Sequence, residues 1–282
     1  MLRIIAENKH GDQINLTSNP DYQLLQVTGL TPPTAVINTS KVATTDGSKF
    51  NSSSLDTRNI VLTIAPRGNV EGSRINLYKC FKSKQYIKLH LINGRRKVWI
   101  EGYIDNMDGD LYSNPQIIQV SIICPDPYFK DENEENTKFS DVMGAFTFPF
   151  SVGSEGVELS TISGYSERNI YNGSDDEVGT VIELMATGAV TDPTIYNLTT
   201  GESITIEYEM SVGDKIIINT RRGEKSVKAI VKGIESNIIN SMTRASKWLT
   251  LLAGDNICTY TCVSGAENLI VNINYQSIYE GV

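Results

Sequence analysis

Along most of this chain apolar and polar residues alternate with a period of two, in short runs bounded by Gly, Pro, Asn and Asp. That pattern predicts half-buried antiparallel strands. In the first half it marks Leu2–Glu7, Gln13–Leu16, Tyr22–Leu30, Thr34–Val42 and Arg58–Ile64, the last with Ile60, Leu62 and Ile64 on one side. The period changes once: Ile75, Tyr78 and Phe81, with Leu77, have helical spacing, which predicts a helix over Arg74–Lys82 capped by Ser73. Tyr86–Ile92 and Arg95–Ile104 flank Asn93-Gly94, a pair that tolerates the positive φ of a type I′ turn and so predicts a hairpin. A turn at Asp108-Gly109 leads into Gln116–Ile123, which stops at Pro125 and Pro127 because neither can donate to a ladder.

Seven further strands follow: Val178–Ala186, Thr194–Asn197, Ser203–Met210, Asp214–Thr220, Glu224–Val231, Asn256–Val263 and Asn268–Ser277. Ile204, Ile206, Tyr208 and Met210 oppose Thr205, Glu207 and Glu209, while Leu269, Val271, Ile273 and Tyr275 oppose Asn272 and Asn274. Turns at Thr200-Gly201, Val212-Gly213, Arg222-Gly223 and Ser264-Gly265 have the spacing of an antiparallel sandwich. Ser246–Ala253 is expected to be a short helical or irregular crossing that buries Trp248. The fold class is therefore mainly β, in two β-rich halves with one helix in the first.

Composition sets bounds on function. The 282 residues are 40% hydrophobic, enough for real cores, and the net charge of −8 disfavours a surface built to neutralise phosphates. Arg95-Arg96-Lys97 reads as a solvated hairpin shoulder, and Asp131–Asn136 as a solvated acidic segment at a domain edge. The N-terminus carries charge too early for a signal peptide, and no run of about 18 apolar residues predicts a membrane span.

Reactive chemistry is sparse. His10 precedes a turn, and His90 sits in a strand. Neither is matched to a nucleophile elbow. Cys258 and Cys262 fall on one strand face without the second pair that zinc requires, so they read as small buried hydrophobes, like the isolated Cys80 and Cys124. Asp105–Asp110 departs from a calcium loop at Met107 and Gln116. No Gly-rich phosphate loop precedes a helix. We therefore expect no catalytic, cofactor-binding or metal residues, and no enzyme. Trp99 lies between Val98 and Ile100 and Trp248 beside Leu249, so at least one is expected in a core; Tyr112, Tyr165 and Tyr171 are the loop-borne rings left for sugar stacking.

The order of several motifs resembles the distal tail protein family of long-tailed, siphovirus-type bacteriophages. They are Cys124-Pro125-Asp126-Pro127-Tyr128-Phe129, then Phe146-Thr147-Phe148-Pro149-Phe150, then Arg168–Gly173, Asp192–Ile195, Leu198–Glu202, Val212–Asp214 and Gly254–Asn256. The resemblance implies a ring-forming β domain at 1–135, an aromatic and Gly/Ser connector at 136–165 and a galectin-like β-sandwich at 166–282. It implies a virion protein of the tail tip or baseplate, a homohexameric hub made in the host cytoplasm. Its partners would be the tail tube protein, the tail-associated central tip protein, and side-fibre or receptor-binding proteins. Phage DNA would pass the lumen without specific binding, and no membrane insertion is implied. Tyr86–Ile104 and the helix Arg74–Lys82 are the expected ring-forming elements. A carbohydrate-binding β-sandwich protein recognising host glycans is the alternative, and a β-sandwich hydrolase a third reading.

Overall fold

The structure is a computed structural model that describes residues 2–41, 43–44, 46–139, 141–144, 160–163 and 167–282. Two compact units divide the chain: Met1–Glu132 together with Ile278–Val282, and Asn133–Ser277. The division at 135 expected from the sequence carries no return of the last five residues to the first unit. The connector aromatics Phe146, Phe148 and Phe150, and Tyr165, lie outside the described residues.

In the first unit the strands are β1 (Arg3–Asn8), β2 (Gln13–Asn15), β3 (Tyr22–Thr28), β4 (Ala35–Lys41), β5 (Ser48–Leu55) and β6 (Arg58–Pro66). After α1 (Val70–Cys80) come β7 (Tyr86–Asn93), β8 (Arg96–Asp110), β9 (Ile117–Cys124) and the start of β10 (Phe129–Lys138), whose residues from Asn133 belong to the second unit. All pairings are antiparallel. β8 is the spine: β7 pairs along Arg96–Tyr103, β9 along Tyr103–Asp110, and β10 at Val98 and Trp99. The sheet continues from β7 to β1 and β2, and from β9 to β6 and β3. Alternation delivers the core, with Ile60, Leu62 and Ile64, Ile87, Leu89 and Leu91, and Ile118, Val120 and Ile122 all buried around Phe81 and Phe129.

Several expectations are corrected here. Asp108-Gly109 is not a turn but lies in β8, and the chain reverses after Asp110 instead. The acidic run Asp131–Asn136 is part of strand β10, although its outer residues are exposed as expected. β5 was missed because Ser and Asn dominate it. Between Asn93 and Arg96 the turn residues are Gly94 and Arg95, with only Gly94 left-handed (φ +59°), so the pattern is that of type II′ rather than I′. α1 starts earlier than its periodicity suggested, because Asn69 rather than Ser73 is the cap: Asn69 Oδ1 accepts the Gly72 amide at 3.1 Å. Ser73 is buried in the first turn, where its hydroxyl donates to the Arg67 carbonyl.

A buried arginine ties this unit together. Arg58, 2% exposed, donates from Nε to the Pro127 carbonyl at 2.7 Å, from Nη1 to Gly29 and Thr31 at 2.6 and 2.7 Å, and from Nη2 to Glu280 at 2.6 Å. Its guanidinium also lies 4.5 Å from the Phe129 ring centroid. Burial lowers its pKa from the ordinary value, yet a guanidinium stays charged at neutral pH. The cation is satisfied by carbonyl dipoles from three separate segments, including the returning C-terminus. Gly29 is constrained as well: at φ +83° a Cβ would stand 2.2 Å from the Asn59 carbonyl oxygen.

The second unit contains the backbone pair β11 (Asp141–Gly144) and β12 (Ser160–Ser163), then β13 (Arg168–Asn172), β14 (Val178–Ala186), β15 (Val190–Thr191), β16 (Thr194–Asn197), β17 (Glu202–Thr205) and β18 (Glu209–Met210). β19 (Lys215–Asn219), β20 (Ser226–Val231), β21 (Ile234–Asn237), β22 (Thr250–Leu251), β23 (Gly254–Thr261) and β24 (Leu269–Tyr279) complete it. One sheet has the order β24-β14-β19-β20-β21 and the other β13-β23-β16-β17. Their buried faces meet where Tyr260 of β23 donates to the Leu269 carbonyl and Tyr275 of β24 donates to the Tyr171 carbonyl. Ser203–Met210 is broken into β17 and β18, with Ile206 bridged to Met242 between them. Ser246–Ala253 is not helical; it supplies β22, and Leu249 is buried while Trp248 is only half-buried.

Replacing Arg58 by Met leaves four carbonyls short of a donor in a buried site. The expected loss is about 3–5 kcal/mol of first-unit stability. Urea unfolding read from Trp99 fluorescence in a Trp248→Phe background measures it, and an unchanged midpoint would contradict the role given to Arg58.

Candidate assembly surfaces

The residues that chemistry would need are dispersed. His10 is exposed, and its amide donates to Asn8 Oδ1. His90 projects from the outer face of β7, 3.1 Å from Glu7 Oε2. Gln13 donates to the same carboxylate at 2.6 Å. The Gln13 hydrogen bond and the His90 contact hold the Glu7 carboxyl below its ordinary pKa against the opposing effect of burial. A cavity of about 160 Å³ beside His90 is lined by Ile5, Gln13, Ile92, Lys97, Val98 and Glu132. That is smaller than ordinary ligand pockets, which start near about 300 Å³. Among the described residues no group of three or more His, Cys, Asp or Glu is placed to hold a metal ion. No described helix is long and apolar enough to cross a membrane.

The four cysteines are unpaired thiols. Burial pushes Cys124 and Cys258 up to about 12, and Cys80 and Cys262 to about 11. Such thiols are poor nucleophiles at neutral pH. Asp108 and Asp110 line an open cleft of about 440 Å³ with Thr63, Ile117 and Gln119.

The aromatic residues correct one expectation: neither tryptophan is core. Trp99 stands on the outer face of β8 under two cations, with Lys88 Nζ 3.8 Å and Lys130 Nζ 5.1 Å from its ring centroid. Trp248 is half-buried beside Lys225. Tyr112 is 98% exposed at the tip between β8 and β9, and Tyr171 lies on the edge strand β13. Tyr112 belongs to the first unit and Tyr171 to the second. Arg96 is not a solvated shoulder either: it donates to the Gly281 carbonyl at 2.6 Å and stacks on Tyr279.

What remains is surface without a partner. β4 and β5 pair only with each other, and every residue of the pair except Leu55 is exposed. The register places Ala35, Ile37 and Thr39 on the same face as Leu55, Ser53 and Phe50. The other face carries Val36 at its base and is otherwise polar: Asn38 donates to Ser52 and Ser40 to Asn51. Ile37 and Phe50 are 62% and 59% exposed. A two-stranded hairpin standing alone is marginal in water. The second such surface is on α1. Ser73, Leu77 and Cys80 face the core, so Ile75 and Tyr78, which the periodicity placed inside, point outward at 43% and 42% exposure. Of the two elements expected to form a ring, the β7–β8 hairpin is built into the sheet and has only its half-buried outer face left, whereas α1 has a free apolar stripe.

Residues 173–279 match the family model of the siphovirus-type tail component, C-terminal domain. Over these residues the chain is similar to that domain. Across 99% of its own length and 99% of the other chain, it has the fold of the SPP1 Dit (gp 19.1) protein, a hub of the adsorption apparatus in phages infecting Gram-positive hosts, with a TM-score of 0.70 at 11% identity. It is also similar over 100% of both chains to a component of the phage P2 baseplate in its activated conformation, with Ca and with Sr, at a TM-score of 0.55 and 11% identity in each case. No curated protein sequence matches it. The mainly β class with one helix in the first half, read from the sequence, agrees with the fold of these proteins.

Two outcomes are expected. In the native protein a thiol reagent at pH 7 modifies Cys262 slowly and the other three far more slowly, and all four react at once in urea. Rapid native labelling of Cys124 would contradict its burial. Because the Glu7 pKa is depressed, its stabilisation exists above the unfolded carboxylate value and is lost as pH falls through the folded one. Glu7→Gln should therefore cost at most about 1 kcal/mol near pH 7. The gap should close in acid below about pH 4. A gap that widens in acid would be the wrong sign.

Proposed function

We propose that this chain is the structural hub of a phage tail tip or baseplate, a ring that joins the tail tube to the central tip protein and offers sites to peripheral baseplate or receptor-binding proteins. The observation that carries this reading is the full-length likeness to a hub protein, combined with a tail-component domain over 173–279. In this reading residues 1–135 form the ring, 136–165 connect, and 166–282 serve peripheral partners. The surfaces support assembly rather than catalysis: dispersed titratable groups, inert thiols, and apolar faces on β4–β5 and α1. Among the described residues lining the cleft beside β8 and β9 the charged groups are the carboxylates of Asp108 and Asp110, which suits a channel that DNA must slide past.

The test is particle mass by light scattering with negative-stain images, on the chain alone and with tail tube and tip proteins. A monodisperse ring with a central hole is expected. A monomer at every concentration and with every partner would overturn the reading, and glycan binding by such a monomer would favour a carbohydrate-binding protein.

A further inference from the structure

Two exposed apolar surfaces on the first unit each carry a charge at one end, of opposite sign. On α1, Glu71, Ile75 and Tyr78 form one outward stripe at i, i+4 and i+7, opposite the buried stripe Ser73, Leu77 and Cys80. On the hairpin, Ile37, Thr39 and Lys41 follow one another on the apolar face, with Phe50 directly across from Thr39. Lys41 and Glu71 are exposed, and neither makes an ion pair among the described residues. From Ile37 to Lys41 is about 13 Å at strand rise. From Tyr78 to Glu71 is about 10 Å at helix rise. An apolar patch at one end and a single charge at the other, of opposite sign on the two surfaces, are therefore spaced alike.

We infer that the β4–β5 hairpin of one copy lies along the outer face of α1 in the next copy, with Ile37 and Phe50 against Ile75 and Tyr78 and Lys41 beside Glu71. This rests on the hub reading and names the contact that closes the ring. Each copy supplies one arm and one receiving helix, so the contact is heterologous, and repetition with a closing rotation gives a ring. The occupant is a second copy rather than the tube protein, because both complementary surfaces are present on this chain. The arrangement also explains why α1 is apolar on two opposite sides, and why a hairpin without a third strand keeps Ile37 and Phe50 in solvent. Between copies, both exposures would disappear together.

The test uses the full chain with Cys262→Ser, since the other native thiols are buried. Phe50→Cys and Tyr78→Cys proteins are made separately, mixed under ring-forming conditions and treated with a short bismaleimide. Both substitutions are at exposed positions and leave the core intact. A covalent two-chain product is expected in the mixture and not in either protein alone, and the chain carrying both cysteines should give a ladder ending at the closed ring. Independently, Lys41→Glu and Glu71→Lys should each weaken self-association about two- to five-fold, and the double reversal should restore it. Rings that assemble without the two-chain product, or whose arm cross-links only to tube protein, overturn the contact and leave the hub reading standing. A chain that stays monomeric under every condition overturns both.

Discussion

An all-strand design has to cover every apolar face and pair every strand edge, because exposed backbone groups and one-sided sheets gain too little from water to stay ordered. In this chain the inner strands meet that constraint internally, while β2, β3, β13, β17 and β21 stand at sheet edges. Within the first unit β8 is long enough to serve both halves of the sheet, and its partners bury their alternate residues around Phe81 and Phe129. In the second unit two antiparallel sheets bury facing residues, and Tyr260 and Tyr275 reach from one sheet to the other. In the first unit the β4–β5 hairpin and the outer side of α1 leave Ile37, Phe50, Ile75 and Tyr78 in solvent. Under the proposed hub role these are the surfaces that a partner would cover.

Arg58 shows the same constraint at the level of one side chain. Gly29, Thr31, Pro127 and Glu280 end or turn their segments, so their carbonyls have no ladder partner, and the planar fork of the guanidinium donates to all four. The Pro-Asp-Pro stop after β9 and the returning C-terminus are thereby pinned to the start of β6. The cation is used to organise backbone rather than to bind a ligand. The titratable groups elsewhere follow suit: Glu7 binds Gln13 and His90, Tyr86 binds Glu101, and three of the four thiols are buried.

Much of this was legible in the sequence because period-two alternation reports burial directly. Val178–Ala186 and Thr194–Asn197 were bounded to the residue, and Arg58–Ile64 showed its buried face. Three kinds of feature were not legible. β5 hides in a Ser-rich segment because its faces are not sorted by polarity against a core. The start of α1 was misplaced because Ser73 resembles a cap, whereas the local turn lets Asn69 reach the Gly72 amide. The face of α1 was misread because its outer stripe is as apolar as its inner one, and a single chain cannot reveal which side meets its own core. Likewise Trp99 sits among Val98 and Ile100 in sequence but on the other face of the sheet, where Lys88 and Lys130 cover it. The arginine clamp gave no sequence signal because its acceptors are all backbone.

The central claim is that the first unit is completed by its own copies. Hydrogen–deuterium exchange on the chain, compared between monomer and assembled ring, tests it most directly. The account predicts that amides in Ala35–Lys41 and Ser48–Leu55 exchange rapidly in the monomer and become strongly protected in the ring, while those of β6 and β9 are protected in both. A ring whose hairpin amides still exchange as fast as in the monomer would contradict it.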